Sequence, residues 1–421
     1  MNREALIAGF LARHGYAGAK RVPLAPDASF RRYLRLSGGP RPALLMDAPP
    51  PEDVRPFLRM AAHISAIGLS APAIIAADEA HGLVLEEDLG GELVAALGVR
   101  TTAGVPRANP IPRSPDPISP AHDPVPPGHD PVPPGHDPIR PSHDPILPSH
   151  DPILPSHDPI LPSHSPVPPP PNPLPQGEGE SLTLTLTFPS PSPSASVLAS
   201  AVDCLIALQR AAPPAGLPRW DATAMAQTAL GTLLDWWWPA VFHAPAPLAA
   251  RDDFGSALAA MLRPLADGAR CFVHRDFFAG NLIWLPRREG LRRIGILDFQ
   301  SAALGHPAYD LASLLQDARQ DAMPGMEEQA IGRFLAGRPD LDPRAFCTTY
   351  AICVAQRHLR VACQWVRLAI RDKRPHYLAH GPRTWRLLET ALRHQAAAPL
   401  AAAMDRWIPA ALRGNPQGLA A

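Results

Sequence analysis

Asp276, Asn281 and Asp298 lie within one stretch, Cys271 to Asp310, in which short apolar runs alternate with polar or basic turns. The runs are Cys271 to Val273, Leu282 to Leu285 and Ile294 to Leu297, and they predict strand, loop, strand, turn, strand. Buried strands hold the loops that follow them rigidly, so side chains separated by five and seventeen positions can converge. Two carboxylates and an amide suit Mg²⁺, a hard cation that takes oxygen ligands, keeps several waters and completes its shell with substrate phosphates. A carboxylate left off the metal is free to accept a proton from an attacking hydroxyl.

Read as H-R-D-x-x-x-x-N, an apolar run and then D-F-x, these residues resemble the catalytic and metal-binding loops of protein kinases. The resemblance is closer to the aminoglycoside phosphotransferase and choline kinase-like family. The matching positions are His274, Arg275, Asp276, Asn281, Asp298 and Phe299, with Gln300 where a protein kinase has glycine, a departure that fits the small-molecule branch. The resemblance implies an α+β, two-lobed, protein-kinase-like fold with a small antiparallel-sheet N-lobe and a mainly helical C-lobe. It makes Asp276 the catalytic base, Asn281 and Asp298 the ligands of Mg²⁺, ATP the phosphoryl donor, and His274 and Asp310 structural supports of the catalytic loop. Taken alone, Asp310 reads equally as a helix N-terminal cap.

These loops need a scaffold, and residues 1–100 are expected to supply the N-lobe and hinge. Asn2 to His14 reads as a helix with Leu6, Ile7, Phe10 and Leu11 on one face, ended at Gly15. Arg21 to Leu24, Arg32 to Leu36 and Ala43 to Met46 read as strands. In a kinase-like fold the turn between the first two covers the nucleotide phosphates. Here it lacks glycine, which leaves Ser29, backbone N–H groups and Arg31 or Arg32 for that role. The third strand carries Met46 where an ATP-pairing lysine is expected, and the only lysines of the chain are Lys20 and Lys373. Arg32 and Arg35, one strand back, are candidates to meet the phosphates instead, because a guanidinium can pair phosphate oxygens bidentately. Glu52 to Gly68 follows as a helix; Glu52 or Asp53 in its first turn reads as a helix-dipole residue or as the partner of a nucleotide-site arginine. After two further strands the resemblance makes Glu86, Glu87 and Leu89 the hinge that meets the adenine edge.

Composition separates this part from the next. The chain has 56 prolines in 421 residues, and thirty of them lie between Val105 and Pro193. From Asp116 to His164 a seven-residue unit repeats seven times, drifting from DPVPPGH to DPILPSH. Proline at that density excludes helix and ladder, so residues 101–196 are expected to be a disordered low-complexity insert. Single histidines at a fixed interval of seven in a stiff chain cannot share a metal without folding back.

Residues 197–421 are the expected helical C-lobe. Trp236, Trp237 and Trp238 point in different directions around a helix, so two of the three are expected in the core. The long helix from Tyr350 to Asp372 carries Arg357, Arg360 and Arg367; Arg357 is a candidate to meet an anionic substrate, although these basic residues read mostly as a solvated face. Five cysteines without C-x-x-C spacing read as reduced core residues of a cytoplasmic protein. A formal net charge of zero gives no global field for nucleic acid or an anionic membrane. The N-terminal stretch lacks the pattern of a signal peptide, and no apolar run is long enough for a transmembrane helix.

Within the family, the runs LMDAPP, LEEDLG, GHPAYDLASLLQDAR and RPHYLAHGPRTWR resemble the anomeric N-acetylmuramate/N-acetylglucosamine kinases of bacterial cell-wall recycling. That resemblance implies a small amino sugar as acceptor and a sugar-1-phosphate nucleotidyltransferase as pathway partner. Two alternatives stay open: a kinase for another hydroxyl compound, of aminoglycoside, choline or homoserine type, and a nucleotide-binding regulator without turnover. The missing lysine favours the regulator, and retention of Asp276, Asn281 and Asp298 opposes it.

Overall fold

The computed structural model describes residues 2–24, 31–90, 92–99, 192–193, 195–266, 268, 270–320 and 325–419. The chain opens with α1 (Arg3–Arg13), which Asn2 caps by accepting the Glu4 backbone N–H at 3.2 Å. Strands β1 (Lys20–Pro23), β2 (Arg32–Ser37), β3 (Ala43–Asp47), β4 (Ile74–Asp78) and β5 (Leu83–Glu87) form a wholly antiparallel sheet in the order β1-β2-β3-β5-β4. Helix α2 (Arg55–Ala66) lies between β3 and β4 in sequence.

Side chains alternate between the faces of a sheet. Leu36 of β2, Ala43 and Leu45 of β3, and Leu83 and Leu85 of β5 therefore share one face, where Ile7, Phe10 and Leu11 of α1 cover them. Met46 and Val84 belong to the other face and cluster with Phe57, Met60, Ala61 and Ile64 of α2. This second face looks toward the rest of the molecule: Phe57 of α2 stacks on Phe299 with ring centroids 4.9 Å apart.

Strand β6 (Gly98–Val99) pairs antiparallel with β7 (Ser192–Pro193), Gly98 opposite Pro193 and Val99 opposite Ser192. The expectation of disorder over residues 101–196 is corrected at its C-terminal end, where Ser192 and Pro193 form β7 and a helix begins at Ala195; the proline-rich repeat itself lies outside the described residues, as does the strand-joining turn with Ser29.

The remainder is mainly helical. In order come α3 (Ala195–Arg210), β8 (Arg219–Trp220), α4 (Ala222–Thr232), α5 (Trp238–Phe242), α6 (Leu248–Leu262), β9 (Cys271–Val273), β10 (Leu282–Trp284), β11 (Ile294–Ile296) and β12 (Ala303–Gly305). Helices α7 (Ala308–Leu315), α8 (Met326–Ala336), α9 (Pro343–Arg371), α10 (Gly381–Ala391) and α11 (Ala398–Trp407) follow. A π-helical turn over Leu233–Trp237 joins α4 to α5; it buries Trp237 and the adjoining Trp238 and leaves Trp236 half-buried, the two-of-three split expected. Helix α7 stops at Leu315, and just beyond it Asp317 turns the backbone by accepting the Arg319 N–H at 2.8 Å.

Four of the five cysteines are buried, Cys347 is half-buried, and all are free thiols. Among the described residues no helix is long and apolar enough to cross a membrane.

Candidate active site

Strand β9 is fully buried and pairs with β12, which in turn pairs with β8. Its end delivers His274, Arg275 and Asp276. The buried Asp310 of α7 accepts the His274 backbone N–H at 2.6 Å on one oxygen and the Arg275 N–H at 2.9 Å on the other. Asp310 thus caps a loop rather than its own helix. Burial pushes its carboxyl up to about 7 even though these two N–H groups favour the charged form.

Arg275 adopts a left-handed backbone, φ 77°, and Asp298 another, φ 59°. Such conformations are uncommon for residues other than glycine and persist only where the surroundings over-determine them. For Arg275 the surroundings include Trp220, whose ring lies 3.9 Å beneath the guanidinium carbon.

The His274 ring joins the two loops. Its Nδ1 accepts the Asp276 N–H at 3.3 Å, which leaves the ring proton on Nε2 to donate to the Leu297 carbonyl at 2.8 Å. A second tie runs through Asn281, whose side-chain amide nitrogen donates to the Asp276 backbone carbonyl at 3.0 Å and whose backbone carbonyl accepts the Leu297 N–H at 2.9 Å. The first tie fixes where Asp276 points, and the second fixes Asn281 Oδ1.

That oxygen is buried and has no hydrogen-bond partner among the described residues. A buried polar atom without a partner costs about 1–3 kcal/mol. An orphaned amide oxygen fits a ligand-binding role, and with Asp298 it provides two oxygen donors for a hard cation. Asp298 itself accepts from Gln300. Between Cys271 and Ile283 every residue is buried except Asp276, so one carboxylate of the clamped loop opens outward.

The sheet contributes the opposite wall. Residues 31, 33 and 35 alternate with 32 and 34, so Arg32 and Arg35 cannot share a face. Arg32 lies opposite Asp47 on the α1 face, and that carboxylate pairs with Arg32 and with Arg3 of α1, each at 2.5 Å. The expectation that Arg32 meets phosphates is corrected by this register. Arg35 is on the site face and pairs with Asp88 at 2.6 Å.

Arg31, mostly buried, is held at 3.0 Å by Glu52, just before α2. Burial disfavours its charge, but Tyr33, Glu52 and Asp298 outweigh that and raise its pKa above the ordinary value. The structure therefore brings Arg31, not Arg32, toward Asp298, and gives Glu52 the guanidinium partner offered as one of its two readings.

Of the hinge residues, Glu87 pairs at 2.5 Å with Arg288, in the connection between β10 and β11, and Leu89 stands beside Gly295 of β11. Glu86 points inward. It is buried, its Oε2 has no hydrogen-bond partner among the described residues, and burial pushes its pKa up to about 8, with Arg31 opposing. Between the unfolded value of 4.5 and about 8 the native state holds a proton that the unfolded chain has lost. Stability from this group therefore falls as pH rises through that window. The expected result is a melting-temperature gain for Glu86→Gln that is small near pH 5 and largest near pH 8, measured by calorimetry across the range.

Arg357 sits on α9, and here the reading of a solvated face is corrected. Arg357, Arg360 and Arg367 are buried, as is every residue from Thr349 to Leu368. The helix runs through the centre of its lobe, so no side of it is solvated.

Comparison with known proteins bears on what this arrangement does. A sequence profile described as the phosphotransferase enzyme family matches residues 20–107 and 174–347, so the match is interrupted across the proline-rich repeat. The N-acetylmuramate/N-acetylglucosamine kinase of Caulobacter vibrioides is 32% identical over 446 aligned residues, covering 98% of each chain. The protein of that name from Pseudomonas aeruginosa is 26% identical over 382 residues, covering 89% of this chain and 84% of its own. Among solved structures, a choline/ethanolamine kinase family protein from Mesorhizobium loti aligns with 96% of this chain and 98% of its own at 12% identity and a TM-score of 0.48. With the family profile matching more than half of its length and a full-length relative at that identity, this chain belongs to the phosphotransferase enzyme family.

Proposed function

We propose that the chain is an ATP- and Mg²⁺-dependent kinase that phosphorylates the anomeric hydroxyl of N-acetylmuramate and N-acetylglucosamine. On this reading it acts in the cytoplasm during cell-wall recycling and passes a sugar 1-phosphate to a nucleotidyltransferase. One observation carries the catalytic part: a doubly tied loop leaves one carboxylate, Asp276, part-exposed and leaves the side-chain oxygen of Asn281 buried with no partner among the described residues. The names of the relatives support the acceptor.

Asp276 accepts the proton of the sugar hydroxyl as that oxygen attacks the terminal phosphate. Asn281 and Asp298 are the side chains that would hold Mg²⁺, which when bound neutralises charge on the phosphates. Arg31 approaches from the sheet in place of the missing lysine, and Glu52 keeps its fork oriented. Phosphoryl transfer has a loose transition state, so fixing these groups and neutralising charge supply most of the rate.

Product analysis with blocked sugars tests the acceptor. The methyl glycoside of N-acetylglucosamine, blocked at C1, should give no phosphorylated product, and a sugar blocked at C6 should be turned over; the reverse pattern overturns the anomeric assignment. For the donor side, a charge-assisted hydrogen bond contributes about 1.5–3 kcal/mol. Arg31→Ala is therefore expected to raise the KM for ATP by about 10-fold or more. Arg32→Ala, on the far face, should change it by less than about 2-fold, both read from steady-state kinetics.

A further inference from the structure

Helix α9 carries Arg357, Arg360, Gln364 and Arg367 at spacings of three, four and three, which places them on one face. A guanidinium buried without a carboxylate is costly, and native proteins keep such groups only where something offsets them. Arg357 is 2% exposed, and its Nε and Nη1 have no hydrogen-bond partner among the described residues. Arg360, equally buried, finds only neutral partners, Gln364 Oε1 at 2.8 Å and the Tyr309 hydroxyl at 3.4 Å, and its Nε has none among the described residues. Burial pulls the Arg357 pKa below its ordinary value; Tyr309, Asp276 and Asp317 oppose that pull, but none of them forms an ion pair or hydrogen bond with Arg357 among the described residues.

An anion brought by a ligand would offset both charges. Its source follows from position. The phosphate-facing groups, Asn281, Asp298 and Arg31, lie along the metal loop and the sheet, whereas Arg357 and Arg360 rise from α9 against α7, where Arg360 reaches the Tyr309 hydroxyl next to Asp310, the residue that holds the loop of the base. The acceptor must reach Asp276, so its body occupies the ground next to that carboxylate. N-acetylmuramate differs from N-acetylglucosamine by a lactyl ether that ends in a carboxylate.

We infer that Arg357 and Arg360 form a carboxylate subsite for the acceptor, so that the acidic amino sugar is selected over neutral ones. This rests on the amino-sugar reading above and adds to it a preference between the two sugars. Guanidinium is suited to the task because its planar fork meets both carboxylate oxygens. The same buried positive charge would reject a polycationic acceptor.

The test compares N-acetylmuramate with its carboxamide, which keeps the shape and loses the charge, in the wild type, Arg357→Met and Arg357→Lys. The expected result is a wild-type preference for the acid of about 30-fold or more in kcat/KM, scaled from a charge-assisted bond. In Arg357→Met the ratio should fall toward one, whatever rate loss is common to both sugars, and Arg357→Lys should restore part of it. Because the substitution removes a buried charge without a carboxylate partner, the melting temperature of Arg357→Met should hold or rise, which also verifies folding. An unchanged ratio in Arg357→Met, with KM for ATP raised for both sugars, overturns the inference and assigns these cations to nucleotide phosphate. If the wild type turns over neither sugar, the amino-sugar reading fails separately. Calorimetric binding of the acid and the carboxamide then decides the subsite: acid preference lost in Arg357→Met supports it, and equal binding overturns it.

Discussion

Replacing Asp276 with asparagine should lower kcat by about 10²-fold or more, the scale set by removing a positioned general base. Nucleotide binding should persist. The substitution is nearly isosteric, and the backbone at Asp276 is fixed by groups that do not involve its carboxylate: its N–H donates to His274 Nδ1 and its carbonyl accepts from Asn281. The variant should therefore fold as the wild type does and bind ATP with a dissociation constant within about 3-fold of it, since no interaction with the nucleotide is removed. A comparable loss of nucleotide affinity would mean that Asp276 serves the phosphates, and the assignment of the base would have to move.

Asp298→Asn should fail differently. Asp298 occupies a left-handed conformation, and asparagine is among the few residues that tolerate one, so the loop is expected to keep its shape. What is lost is a negative oxygen. The Mg²⁺ concentration for half-maximal activity should rise by about 10²-fold, corresponding to roughly 3 kcal/mol for one lost charged contact. Excess Mg²⁺ should recover part of the rate in Asp298→Asn and none in Asp276→Asn. Titration of both variants with Mg²⁺ at saturating ATP separates the roles, and identical titration curves would sink the division of labour.

The parts of this site that were legible in the sequence are those whose signal is local. Cys271–Val273, Leu282–Trp284 and Ile294–Ile296 fall where the apolar runs place them, because a short buried strand between turn residues leaves little latitude. The loop residues were legible through their spacing and resemblance, and the pairing of Asp310 with two backbone N–H groups adds the geometry.

Two features are less legible in the sequence, each for a physical reason. Arg32 and Arg35 stand close in sequence, but an odd separation puts them on opposite faces of a strand; the alternation itself points to Arg31 with Arg35. The arginines of α9 suggest a solvated face because a charged stripe usually marks the wet side of an amphipathic helix. That inference presumes the helix has a wet side, and a 29-residue helix at the centre of its lobe does not. A signal was available: Arg357, Arg360 and Arg367 recur among Ala, Val, Leu, Cys and Trp with almost no acidic residue to pair them.

The pairing of Gly98–Val99 with Ser192–Pro193 has a consequence for how this gene can change. The two sides of this pairing are adjacent in space though far apart in sequence, so residues can be gained or lost between them without shifting its register. A seven-residue unit is encoded by 21 nucleotides, so gain or loss of one whole unit keeps the reading frame. For a chain closed at purely entropic cost, one further unit in a segment of this length adds under about 0.1 kcal/mol. Selection acting through stability is nearly blind to a step that small, which makes this clamp a place where a lineage can accumulate length, and eventually a new domain, while the enzyme beside it goes on working.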